Sequence, residues 1–137
     1  MFKLGTKSEE RLNGVHPDLV KVVREAIKLT PIDFRVIEGL RTQERQDYLF
    51  ATGKTKVRIS RHQSGYAVDV MALVKGDEWN FRHYMEIAKA FKSAAKKLDV
   101  PIIWGGDWVT FKDGPHFELP RDKYADKVES KLITVGP

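Results

Sequence analysis

A chain of 137 residues is long enough for one domain with its own core, and 42% hydrophobic with 31% charged content is ordinary for a soluble protein. No stretch approaches the ~20 apolar residues that span a bilayer, and the absence of cysteine removes disulfide frameworks and thiolate chemistry. A net charge of +5 and a pI near 9.4 favour approach to an anionic surface, whether nucleic acid, phospholipid or acidic cell wall, although the basic residues form no block and read most plainly as a solvated surface.

The N-terminus has a lysine but no apolar run to serve as a signal peptide, so synthesis is expected to end in the cytoplasm. Ser8 is a candidate cap for a short turn. Pro17 opens the first clear helix, with Leu19, Val22, Val23 and Ala26 at i, i+3, i+4 and i+7 spacing, and His16 stands just outside it as a surface or capping residue. Phe34 to Leu40 reads as a strand ending at Gly39 to Arg41, followed by a helix from Thr42 as N-cap to Gly53 as stop. Arg41 therefore stands at a strand-to-helix junction, where rigid backbone can present a guanidinium for a bidentate grip on a carboxylate. The plainer alternative is a surface pair with Glu44. Gln46, one helical turn on, either faces the same cleft or is solvated.

A polar loop then leads into Ser60-Arg61-His62-Gln63-Ser64-Gly65-Tyr66-Ala67-Val68-Asp69, which offers a His and an Asp seven residues apart. Ala67 to Met71 reads as a strand. A bend at Gly65 would let His62 fold back towards the Asp69 carboxylate. After a turn at Lys75 to Glu78 comes the clearest helix, whose apolar stripe is Tyr84, Ile87, Ala88, Phe91, Ala94, Ala95 and Leu98. His83 borders that stripe without a partner at i+3 or i+4 and reads as interfacial or exposed.

Pro101 to Trp104 is a short buried strand, and Gly105 to Trp108 a turn that can bring Trp104 and Trp108 beside a cleft, as core aromatics or as walls for a peptide. The final group is Asp113-Gly114-Pro115-His116-Phe117-Glu118, a Gly-Pro turn leading into a strand with His116 and Glu118 on one face. Together the two groups supply what a catalytic zinc needs: about three nitrogen and oxygen ligands, with a further position open for water. The fold class is α+β, a small antiparallel sheet carrying the zinc site and packed against helices on its other face. Residues 119–137 read as a C-terminal extension, a short helix and a tail, docked on a single domain spanning 1–137.

Ser-x-His-x6-Asp followed by Asp-x-x-His-Phe-Glu-Leu resembles the zinc D-alanyl-D-alanine carboxypeptidase family, and especially its phage L-alanyl-D-glutamate endopeptidases, the endolysins. The likeness runs over roughly residues 1–119 and includes Gly39-Leu40-Arg41-Thr42 with Gln46 and Trp104-Gly105-Gly106-Asp107-Trp108. It implies that His62, Asp69 and His116 hold Zn²⁺, that Asp113 is the general base, and that Arg41 binds substrate or polarises the scissile carbonyl. It also implies that Ser60 contacts substrate. Glu118, the rival base, lies ~6–7 Å along the strand from His116's own position and suits orientation of a ligand better. The short, acid-poor segment from Asp107 to Asp113 argues against the calcium-binding loop of some relatives.

The implied reaction is hydrolysis of the L-alanyl-D-glutamate bond of peptidoglycan stem peptides. The enzyme would work as a monomer, released from the host cytoplasm through a holin-type route, with neither nucleic acid nor stable membrane insertion involved. The alternatives are a D-alanyl-D-alanine carboxypeptidase and a non-catalytic zinc-containing binding module.

Overall fold

The computed structural model describes residues 1–41, 43–53 and 61–124. Among them are helices α1 (Thr6–Arg11), α2 (Pro17–Leu29), α3 (Gln43–Ala51) and α4 (Phe81–Leu98), and strands β1 (Phe34–Glu38), β2 (Ala67–Ala72), β3 (Ile103–Trp104) and β4 (His116–Glu118). The strands form one antiparallel sheet in the order β1-β2-β4-β3. The α+β class and the small sheet match the sequence reading. No helix among the described residues is long and apolar enough to cross a membrane.

Local chemistry explains the two long helices. Pro17 needs no donor at the first helical position, and the His16 Nδ1 caps the turn by accepting the Asp18 N–H at 3.1 Å. Asn80 does the same for α4, its Oδ1 accepting the Arg82 N–H at 3.0 Å, and the helix ends at Asp99 in the left-handed region. The apolar stripes of α2 and α4 are buried against each other and against one face of the sheet. Phe34, Val36, Val68, Val70 and Phe117 supply that face, with Phe91 of α4 stacked on Phe117 at 3.8 Å between ring centroids.

Two departures from the sequence reading matter for the site. First, Ser8 does not cap a turn: it lies buried inside α1, and its Oγ accepts the Val36 N–H at 2.9 Å, which satisfies a donor on the outer edge of β1. Second, β1 ends at Glu38 and contains a bulge. Val36 pairs with Val70, but the next pair is Glu38 with Asp69, so Ile37 is the extra residue. In a regular strand Glu38 would share the face of Phe34 and Val36 and point into the core. The bulge turns it to the opposite face.

The expected N-cap Thr42, the loop 54–60 with Ser60, and the tail 125–137 lie outside the described residues, as does the side chain of Gln46. The described start of the C-terminal extension is anchored. Leu119 is buried in the core, and the Tyr124 hydroxyl donates to Asp18 Oδ2 at 2.7 Å while its ring meets those of His16 and Tyr66.

Candidate metal centre

The face of the sheet away from α2 and α4 carries a row of charged residues. Antiparallel register places Glu38 opposite Asp69 and Asp69 opposite His116, so side chains from β1, β2 and β4 meet on one face. His62 enters from a 3₁₀ turn, Arg61–Ser64, just before β2. Gly65 lets that turn double back. Its φ is +75°, and a Cβ there would lie 2.5 Å from the Gly14 carbonyl oxygen, so both conformation and space demand glycine.

His62, Asp69 and His116 each offer one ligand atom, all within 4.8 Å of one another. Asp69 is the hub: Oδ2 lies 3.3 Å from His62 Nε2 and Oδ1 lies 3.0 Å from His116 Nδ1. A tetrahedral ion bonded at ~2.0–2.1 Å spaces its donors ~3.3 Å apart, so the group fits a small divalent cation.

The outward nitrogens are also committed. Because a carbonyl oxygen can only accept, the 2.9 Å contact of His62 Nδ1 with Gly39 O puts the ring proton on Nδ1 and turns Nε2 to the centre. His116 is reversed, with Nε2 2.8 Å from Glu118 Oε1, so the carboxylate takes that N–H and Nδ1 faces Asp69. Each imidazole thus has one nitrogen for a metal and one held by the protein, the usual arrangement of metal-binding histidines.

The electrostatics favour a cation. Burial alone would raise the Asp69 carboxyl pKa, but the charge of His62 and the hydrogen bonds of both histidines hold it far below the usual range. Burial would lower that of His116, yet its hydrogen bonds to Asp69 and Glu118, with their charges, push it up to about 10. A proton and a metal ion answer the same excess of negative charge here.

Asp113 sits beside this group without belonging to it. Its backbone N–H donates to Gly105 O at 3.0 Å, and its carbonyl accepts the His116 N–H at 3.1 Å, which closes the turn carrying both residues. A Cβ on Gly105 would come within 2.4 Å of the Asp113 oxygen and 3.1 Å of His116 Cβ, so only glycine lets the turn pack this closely. Burial first, and the Asp69 charge second, raise the Asp113 pKa above the ordinary carboxylate value, against the pull of His116, His62 and Arg41.

Arg41 is nearly buried, its side chain 8% exposed, and its N–H donates to His62 O at 2.8 Å. Its partner is Glu38 and not Glu44: Nε donates to Oε1 at 2.6 Å and Nη2 to Oε2. The side-on edge of the guanidinium is therefore occupied by the protein's own carboxylate.

The two indoles part company. Trp108 is half-buried with its ring 5.2 Å from that of His116, at the edge of the centre. Trp104, read above as either a core aromatic or a cleft wall, pairs with Phe117 and so takes the core role on the helix side of the sheet. It is 7% exposed, stacks on Phe81, and donates its indole N–H to Gly114 O at 2.7 Å. His83 lies apart, bonded to Asp77 at 2.8 Å. Sequence reasoning missed Glu38 and Arg61, and of these only Arg61 carried a signal, as a residue of the first motif left without a role.

A histidine-aspartate-histidine group at one face of a small antiparallel sheet, with an acid beside it, could hold a metal ion, as the centre of a metal-dependent hydrolase would. The chain matches the family described as phage L-alanyl-D-glutamate peptidase over residues 1–125, and it belongs to that family. It is 34% identical over 128 residues to the L-alanyl-D-glutamate peptidase of Escherichia phage T5, covering 90% of this chain and 93% of that one. Identity is 32% over 132 residues with the Bacillus subtilis peptidoglycan L-alanyl-D-glutamate endopeptidase CwlK, covering 78% of this chain and 74% of the relative. The crystal structure of Serratia marcescens L-Ala D-Glu endopeptidase ChiX superposes with a TM-score of 0.82 at 44% identity, covering 87% of this chain and 90% of that one.

Proposed function

We propose that the chain is a zinc-dependent peptidoglycan peptidase that hydrolyses the L-alanyl-D-glutamate bond of stem peptides and serves a phage as its endolysin. The observation that carries this reading is the convergence of His62, Asp69 and His116, with Asp113 beside them, in a member of this family. His62 Nε2, His116 Nδ1 and an Asp69 oxygen would hold the ion. Zinc so held supplies Lewis acidity, making water acidic near neutral pH and polarising a carbonyl.

The chain's own residues do the rest. Asp113, its basicity raised by burial, takes a proton from the attacking water as the water oxygen bonds to the alanyl carbonyl carbon. It returns that proton to the glutamate nitrogen as the C–N bond breaks. Arg41, steadied by Glu38, stabilises the negative charge that develops on the carbonyl oxygen. Trp108 walls the cleft beside His116. Ser60 and Gln46 remain substrate contacts on the strength of the family resemblance alone. In a phage setting the enzyme would pass from the host cytoplasm to the wall through a holin-type lesion.

Purified peptidoglycan digested with the protein should gain free L-alanine carboxyl termini and free D-glutamate amino termini, identified by mass spectrometry. A chelator should abolish both and added zinc restore them. Release of free D-alanine instead would make the enzyme a carboxypeptidase, and cleavage undiminished in excess chelator would remove the metal from the mechanism.

A further inference from the structure

We propose that Arg61 is a positioning residue for the metal centre: it holds the Glu118 carboxylate that fixes His116, and thereby sets how tightly the ion is bound. The proposal rests on the zinc reading above. Arg61 is 3% exposed, in the same 3₁₀ turn as His62. Its Nη2 donates to Leu119 O at 2.6 Å, its Nε lies 3.6 Å from Glu118 Oε2, and its guanidinium carbon sits 4.6 Å over the Tyr66 ring.

Burying a guanidinium is costly unless opposite charge and acceptors surround it, and two of these partners are consecutive residues at the end of β4. The 3.6 Å separation is an ion-pair contact, longer than a hydrogen bond. Arg61 therefore acts on Oε2 by charge, while Oε1 takes the His116 Nε2–H at 2.8 Å. Steadying that carboxylate keeps the ring from turning and makes Nδ1 a better donor to a metal. The Leu119 contact pins the strand just beyond Glu118. One guanidinium thus ties the turn bearing His62 to the strand bearing His116.

A residue serving only the core would also be buried and bonded to Leu119, so the test must separate that role from action through Glu118. Zinc affinity is measured by competition with a chromogenic chelator for the wild type, Arg61→Met, Glu118→Gln and the double variant, each checked for fold by circular dichroism. Each single substitution should weaken zinc about 10- to 100-fold, the usual effect of losing a group that supports a ligand. In the Glu118→Gln background the Arg61 substitution should then cost less than about twofold, because the group it works through is gone.

Independent, multiplying losses would overturn the proposal, as would wild-type affinity in folded Arg61→Met. If Arg61→Met does not fold, Arg61→Lys in both backgrounds makes the same comparison, since a single ammonium cannot span Leu119 O and Glu118. A wild-type protein that binds no zinc would sink the zinc reading and this proposal together. Tight wild-type binding with multiplying losses would sink the proposal alone.

Discussion

The two faces of the four-stranded sheet are made from alternate residues of the same strands, yet they solve burial in opposite ways. On the helix side Phe34, Val36, Val68, Val70 and Phe117 need only volume and contact, and α2 and α4 supply both. On the metal side Asp69, His116 and Glu118 are ionic groups that satisfy one another through directed contacts of 2.8–3.0 Å. Apolar packing is graded, because a lost methylene costs only its share of contact and a cavity. An ionic network is closer to all or none, because removing one member leaves the next as an uncompensated buried charge. The helix side is therefore built for graded stability, and under the proposed function the charged side would carry the chemistry.

That division can be tested from the helix side first. Phe91 lies on α4 with its ring on Phe117, on the face of the sheet opposite His62, Asp69 and His116. Phe91→Ala should cost about 3–5 kcal/mol of stability, the usual range for a buried aromatic, while zinc stoichiometry stays that of the wild type. Urea unfolding with metal analysis checks both. Loss of zinc from the folded variant would mean that the two faces are coupled.

Asp113→Asn probes the other side and should do the reverse. The amide keeps the shape but cannot accept the water proton, so turnover should fall ~10²-fold or more with fold and zinc intact. Glu118→Gln should reduce turnover less at saturating zinc, since its role is to hold His116. If Asp113→Asn hydrolyses stem peptide at the wild-type rate while zinc-loaded Glu118→Gln is inert, the base is Glu118.

The smallest effect belongs to an ion pair outside both faces. Lys97 of α4 donates to Glu25 of α2 at 2.9 Å, and this bond lowers the Glu25 pKa below its ordinary 4.5. A lowered carboxylate pKa means that the contribution is present above pH 4.5 and lost as pH falls through the folded value. Glu25→Gln should destabilise slightly at pH 7 in low salt, and the difference should vanish in high salt and at acid pH. Unfolding midpoints of the two proteins under these conditions decide it. A difference that persists in acid would assign Glu25 a packing role instead of an electrostatic one.

Much of the site was legible before any coordinates. The two motifs, through the family they resemble, point to His62, Asp69 and His116, and strand alternation alone puts His116 and Glu118 on one face. The long helices follow from Pro17 and the apolar spacing, which local geometry reads directly. Alternation could not reveal Glu38, because the bulge at Ile37 breaks the very period on which that inference depends.

What the sequence by itself determined is therefore the periodic part: the helices, the α+β class, and which residues can donate to a metal. Only the tertiary structure decided the pairings across the fold. Arg41 answers Glu38 and not Glu44, Arg61 reaches Leu119 58 positions away, and Trp104 turns to the core while Trp108 lies beside His116. The reason is physical: periodicity fixes the face on which a side chain lies, whereas its partner is set by register and by the bends between elements, which no local pattern records.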